Sequence, residues 1–171
     1  MTSRYLEAVR QPGQTVNPLF AFLGVNLVEV GPDRAVLELP LRPEFIQGAG
    51  VVAGGVIAAL ADEAMAHVVL ANLGPSRGAA TIEMNVRYFR PVRLVSPVGP
   101  ALSEGLKAVA TLANLGRRIV SAEAAVSGPD GRVVAKASGS FFILEETVTD
   151  AGPPPVAQTP RAHRSEESPM D

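Results

Sequence analysis

Cysteine is absent from all 171 residues, which removes disulfides, a thiol nucleophile and cysteine-ligated zinc and fits a reducing cytoplasm. Excess positive charge is absent too: the formal net charge is -2, so the chain offers no electrostatic footprint for nucleic acid. No apolar run of membrane-spanning length is uninterrupted. The longest, Val56 to Leu73, is broken by Asp62, Glu63, His67 and Asn72, which argues for a helix buried in protein and not in lipid. The first residues lack the charged-then-apolar order of a signal peptide, and Leu19–Leu23, bounded by Pro18 and Gly24, reads as a short amphipathic helix. No internal repeat is present. A cytoplasmic protein with neither nucleic-acid nor membrane partners is expected.

Hydrophobic residues make up 47 % of the chain, enough at this length to build one domain around a core. Residues 1–16 read as a helical or loose lead-in. Asn17 followed by Pro18 is a helix start, and Gly24 a stop. Val25–Val30 and Arg34–Leu39 read as a hairpin closed by Gly31-Pro32-Asp33. A helix is expected from about Gly54 to Asn72, apolar on nearly every face and therefore wrapped by other structure. Period-two alternation then runs from Thr81 to Tyr88, with Thr81, Glu83, Asn85 and Arg87 on one side and Ile82, Met84, Val86 and Tyr88 on the other. Further strands are expected over Ala101–Leu112, Arg117–Val126 and Val133–Leu144. Their connections are too short for crossover helices, so the strands are antiparallel and the class is α+β, one long helix on a curved sheet. Residues 146–171, rich in proline, serine, glutamate and arginine, have the composition of a disordered tail.

The segment that carries chemistry is Gln47 to Met65, a glycine-rich loop running into the apolar helix. Gly54 and Gly55 stand where the helix begins, and a helix start leaves N–H groups without partners beside a partial positive charge. Asp62 and Glu63 follow two turns later among Val, Ala, Leu and Met, where an unpartnered carboxylate is costly to desolvate. At least one of them has a purpose. Glu63 and His67 stand at helical i,i+4 spacing, and a local structural pairing is favoured over a catalytic dyad. Gly48-Ala49-Gly50 lacks the rest of a nucleotide-binding pattern.

Gly-Gly-x4-Leu-x-Asp-x-Ala (Gly54–Ala64), then Thr-x-x-Met-Asn-Val-x-Tyr-x-Arg-Pro (Thr81–Pro91) and the Gly-Arg and Asp-Gly turns, resemble the hotdog-fold acyl-CoA thioesterases of the phenylacetate-degradation (PaaI-like) group. The likeness covers about residues 17–144, within a domain of 17–145. It implies the hotdog fold, a long central helix wrapped by a six-stranded antiparallel sheet. It also implies a homodimer, or a homotetramer built from dimers, in which sheets join edge to edge with active sites at the subunit interface. The implied activity is water attack on an acyl- or aryl-acyl-CoA thioester without a metal or separate cofactor, coenzyme A being part of the substrate. Carried over by position, Asp62 is the general base or nucleophile and the Gly54 N–H the oxyanion donor, while Gln47 orients the thioester or water and Thr81 helps to hold the water. Arg90, Arg117 and Arg118 are candidates for the coenzyme A phosphates. Arg93 is a further one, and Gly116-Arg117 is favoured because a turn glycine permits close approach. The same arginines could pair across strands with Glu104 or Glu123. One position departs: the family pattern is His-Gly-Gly, and here Ala53 stands in place of the histidine. The alternative reading is therefore a CoA-ester-binding hotdog protein that turns over poorly.

Overall fold

Gly31-Pro32-Asp33 turns the chain back on itself, and β1 (Asn26–Val30) pairs antiparallel with β2 (Arg34–Pro40) across it. Across this hairpin Arg34 forks onto both carboxylate oxygens of Glu29, at 2.8 and 2.7 Å. The computed structural model describes residues 4–94 and 105–145. The expected tail at 146–171, and residues 101–104 of the strand expected from Ala101, lie outside the described residues.

Two short helices, α1 (Arg4–Ala8) and α2 (Pro18–Leu23), precede the hairpin. A 3₁₀ turn (Pro43–Phe45) and the glycine-rich loop lead into α3 (Gly54–Ala71). Four strands follow: β3 (Gly78–Tyr88), β4 (Gly105–Leu115), β5 (Ile119–Ser127) and β6 (Val133–Leu144). Every pairing is antiparallel, in one six-stranded sheet of order β1-β2-β4-β5-β6-β3. The fold is the α+β hotdog arrangement, with β1 and β3 as the sheet's edges.

The sheet wraps α3 because α3 is apolar around most of its circumference. Leu60, Ala61, Ala64, Met65, Val68 and Val69 are all at 0 % exposure, and at ~100° per residue they span a contiguous half of the helix, wider than a single stripe of one residue per turn. Each large side chain among them contributes roughly 1.5–3 kcal/mol by leaving water. By length and composition alone α3 is long and apolar enough to cross a membrane, yet here it packs against β2, β3, β4, β5 and β6. The inward positions of the middle strands are mostly small: Ala108 and Ala110 on β4, Ala122 and Ala124 on β5, Ala137 on β6. Small side chains let a close-packed sheet curve onto the helix without voids or overlap.

β3 departs from strict alternation between Thr81 and Glu83. Thr81 is opposite Phe141 and Glu83 opposite Ser140, so Ile82 is an extra residue in a bulge. The bulge reverses the phase of the strand. Thr81, expected on the side of Glu83, Asn85 and Arg87, instead faces α3 with Met84 and Val86, and Ile82 is pushed out to 53 % exposure.

The lead-in is anchored through a second polar cluster. His67, 1 % exposed, donates from Nδ1 to the Glu63 carbonyl at 2.6 Å, which leaves Nε2 to accept the Tyr5 hydroxyl at 3.3 Å. Asn17 caps α2 by accepting the Phe20 N–H at 2.9 Å, and its amide donates to Tyr5 Oη at 3.0 Å and Glu63 Oε2 at 3.2 Å. One side chain thus joins the first two helices to the third. Burial pushes the Tyr5 phenol up to about 12, raises the Glu63 carboxyl and lowers the His67 imidazole. The Glu63–His67 pairing is structural, with the imidazole held neutral against Tyr5 and Phe20. Because folding lowers the His67 pKa, its stabilising contribution is complete above the ordinary value of 6.5 and is lost as pH falls through the folded value. Glu63 runs the opposite way but is common to wild type and a His67→Gln variant. The excess melting temperature of wild type over that variant is therefore expected to shrink between about pH 7 and pH 5. A pH-independent difference would contradict this account.

Candidate active site

The helix start is built by its flanks and not by a cap. Ala53 precedes α3 in an extended conformation (φ -60, ψ 133) and has no side-chain acceptor to offer. Backbone bonds fix it instead: Ala53 N–H donates to the Phe45 carbonyl at 2.8 Å, and Val52 N–H to the Val92 carbonyl at 2.8 Å. The loop closes on itself through Gln47 N–H to the Val51 carbonyl at 2.9 Å and Gly50 N–H to the Gln47 carbonyl at 2.8 Å. Arg42 ties this region to α2, its guanidinium 4.5 Å from the Phe45 ring centroid and its Nη2 donating to the Phe22 carbonyl at 2.7 Å. The loop is thus held where Ala53 supplies no ring. Among the described residues the Gly54 and Gly55 N–H groups meet no protein acceptor, so two donors and the positive end of the helix dipole are left for a ligand.

Two turns along, Asp62 accepts the Thr81 hydroxyl on Oδ1 at 2.9 Å. The bulge at Ile82 makes this possible by turning Thr81 toward α3. The carboxylate stays half-buried, and among the described residues Oδ2 accepts no hydrogen bond. The apolar burial expected around the acidic pair falls mainly on Glu63, which points toward Tyr5 and Asn17. Asp62 is the carboxylate of the pair that faces Thr81.

The structure brings Asp62 together with Thr81, but it does not bring Gly54 to Asp62 within one chain. They are eight residues apart on a continuous helix, about 12 Å along its axis at ~1.5 Å per residue, whereas a reacting carbonyl needs donor and base within about 3–3.5 Å of the reacting atoms. Gln47 is exposed at the head of the loop and is engaged there through its backbone alone. Arg90 is exposed just beyond Tyr88, at the Gly54 end of α3, and Arg93 Nη1 lies by the loop, 3.9 Å from where a Gly50 Cβ would stand. Arg117 and Arg118 are elsewhere. Their turn follows β4 at the far end of the sheet, where Ile119 is opposite Phe142 and Phe142 opposite Ala80 near the start of β3. A Cβ on Gly116 would collide with the Ile119 carbonyl, so turn closure already requires that glycine. Arg118 lies 5.5 Å from the Phe142 ring centroid.

Sequence reasoning missed Tyr88 as part of this region. Its hydroxyl donates to the Gly54 carbonyl at 2.8 Å, and its ring lies 3.3 Å from the position of a Gly54 Cβ. No local signal pointed to it: strict alternation places Thr81 and Tyr88 on opposite faces, and only the bulge at Ile82 brings both to the α3 side of β3.

A family model described as Thioesterase superfamily matches residues 49–135, from the loop through to β6. A protein of Saccharolobus solfataricus, whose name places it provisionally among the esterases, is 27 % identical over 143 residues, covering 84 % of this chain and 95 % of that one. A Mycobacterium tuberculosis protein named in the same provisional way has a solved structure that superposes with a TM-score of 0.65 at 26 % identity, covering 75 % of this chain and 97 % of the other. A mutant of the phenylacetic acid degradation protein PaaI from Thermus thermophilus superposes with a TM-score of 0.63 at 26 % identity, over 74 % of this chain and 98 % of that one.

Proposed function

The chain belongs to the thioesterase superfamily, and from that premise we propose that it hydrolyses an acyl- or aryl-acyl-CoA thioester by carboxylate-assisted attack of water. The observation that carries this reading is the Asp62 carboxylate, set into an otherwise apolar helix and held by the Thr81 hydroxyl at 2.9 Å. Asp62 takes a proton from water as the water oxygen bonds to the thioester carbon. The carbonyl oxygen, now an anion, is stabilised by N–H donors at the start of α3. Collapse breaks the carbon–sulfur bond and gives the free acid, and the proton held by Asp62 passes to the departing thiolate of coenzyme A. Gln47 orients the thioester from the loop.

The spacing of Gly54 and Asp62 favours a site shared between two copies, Gly54 of one chain acting with Asp62 of the partner subunit. β3 is suited to the contact: it is an edge of 11 residues, and an unpaired edge of that length is a template for another strand. A second copy pairing antiparallel along β3 runs in the opposite direction, which brings its far sheet end, with Arg117 and Arg118, toward the Gly54 end of the first. Arg90 then meets the coenzyme A phosphates from one chain and those two from the other. A homodimer, or a dimer of dimers, is the functional unit.

Steady-state release of free thiol from phenylacetyl-, benzoyl-, short-chain and medium-chain acyl-CoA tests the reading. Turnover of at least one class is expected. Ala53 favours one rival, a binder of CoA esters with little turnover; saturable binding of an ester without hydrolysis, together with a large gain in rate in Ala53→His, would establish that rival.

A further inference from the structure

Two consecutive glycines at the start of a helix, preceded by a residue that cannot cap it, form a loose element on their own, because glycine has the widest conformational freedom of any residue. Ala53 and Gly54-Gly55 are such an element, and their N–H groups nevertheless have to point in one direction to stabilise an oxyanion. The Phe45 carbonyl fixes only the peptide before Ala53. The Ala53 carbonyl, on the peptide that carries the Gly54 N–H, accepts from the Val56 N–H at 3.0 Å and the Ile57 N–H at 3.4 Å, and the Gly54 carbonyl, on the peptide that carries the Gly55 N–H, accepts the Tyr88 hydroxyl at 2.8 Å. Beneath it the Tyr88 ring fills the space that a Gly54 side chain would occupy, with three atoms 3.3 to 3.5 Å from that Cβ position. Tyr88 is 49 % exposed, so burial of its hydroxyl does not account for the bond.

We propose that Tyr88 is a positioning residue for the oxyanion site, holding the Gly54–Gly55 peptide so that the Gly55 N–H joins the Gly54 N–H as a second aligned donor. The Gly54 carbonyl and the Gly55 N–H belong to one planar peptide unit. A bond to that carbonyl fixes the plane and polarises the N–H at its other end, strengthening it as a donor. Gly54 is then needed for a second reason: any side chain there would press on the ring that aligns it. β3 thereby serves both ends of the chemistry, setting the base through Thr81 and the donors through Tyr88. The proposal rests on the thioester-hydrolysis reading.

Tyr88→Phe keeps the ring and deletes the hydroxyl. With the dimer confirmed intact by sedimentation, kcat on the best thioester is expected to fall about tenfold, because a displaced donor weakens the transition state more than the ground state, while KM changes less than about twofold. Independently of activity, backbone ¹⁵N order parameters at Gly54 and Gly55 are expected to drop in the variant while those at Leu60–Ala64 stay unchanged. Wild-type kcat in Tyr88→Phe overturns the proposal, as do unchanged order parameters at the two glycines. A wild-type protein that hydrolyses no thioester overturns the functional reading, while the order parameters still decide whether Tyr88 holds the peptide, so the two failures are told apart.

Discussion

Asp62→Asn is expected to lower kcat for thioester hydrolysis by about 10²–10⁴-fold, the range usual for loss of a positioned general base, with little change in KM or melting temperature. The fold tolerates the change for a specific reason. Asp62 receives the Thr81 hydroxyl on one oxygen, and the carbonyl oxygen of an asparagine side chain at that position can receive it equally, so no buried group loses its partner. What disappears is the second oxygen, replaced by an amide that donates and cannot take a proton from water. Comparison of kcat, KM and thermal unfolding between the two proteins checks this. A variant that keeps more than about a tenth of wild-type kcat would remove Asp62 from the chemistry, and one that unfolds or dissociates would return it to a structural role.

Recovery of activity from two inactive proteins is the second large effect expected. Gly54→Pro deletes the Gly54 N–H while keeping the helix, because proline is favoured at the first helical position, and its Cβ, 3.3 Å from the Tyr88 ring, disturbs the donor end further. The preceding Ala53 already has the extended conformation that proline demands (φ -60, ψ 133). Gly54→Pro and Asp62→Asn homodimers each lack half of every shared site. After subunit exchange, half of the dimers are mixed, and one of the two sites in each mixed dimer joins an intact Gly54 to an intact Asp62. The mixture should reach about a quarter of wild-type activity from two nearly inactive components, as the two-fold symmetry of the dimer requires. A site contained within one chain gives no recovery on mixing, whatever the variants do separately. The measurement needs only equimolar mixing, incubation long enough for exchange, and the thiol-release assay.

Most of the fold was legible because it rests on local patterns. The hairpin around Gly31-Pro32-Asp33 and the strand Val133–Leu144 lie as expected. The buried helix lies one residue short of its expected end, Asn72 serving as its C-cap. Strand ends were less legible: β4 runs on to Leu115 and β5 begins at Ile119, the intervening turn being set by the close approach of Gly116 to the Ile119 carbonyl. The acidic pair on α3 was conspicuous by composition, but the division of labour between its members was not. Which carboxylate meets Asn17 and which meets Thr81 depends on elements 46 and 19 residues away in the chain.

By itself the sequence determined the apolar helix, the antiparallel strands, the glycine-rich entry to α3 and the presence of a carboxylate within it, all of which follow from side-chain periodicity and backbone preference over a few neighbouring residues. Only the tertiary structure decided that Thr81 turns inward through the bulge at Ile82 and that Tyr88 holds Gly54. A bulge is a property of two paired strands, and a hydroxyl-to-carbonyl bond of two packed elements. Neither is encoded by a window of adjacent residues.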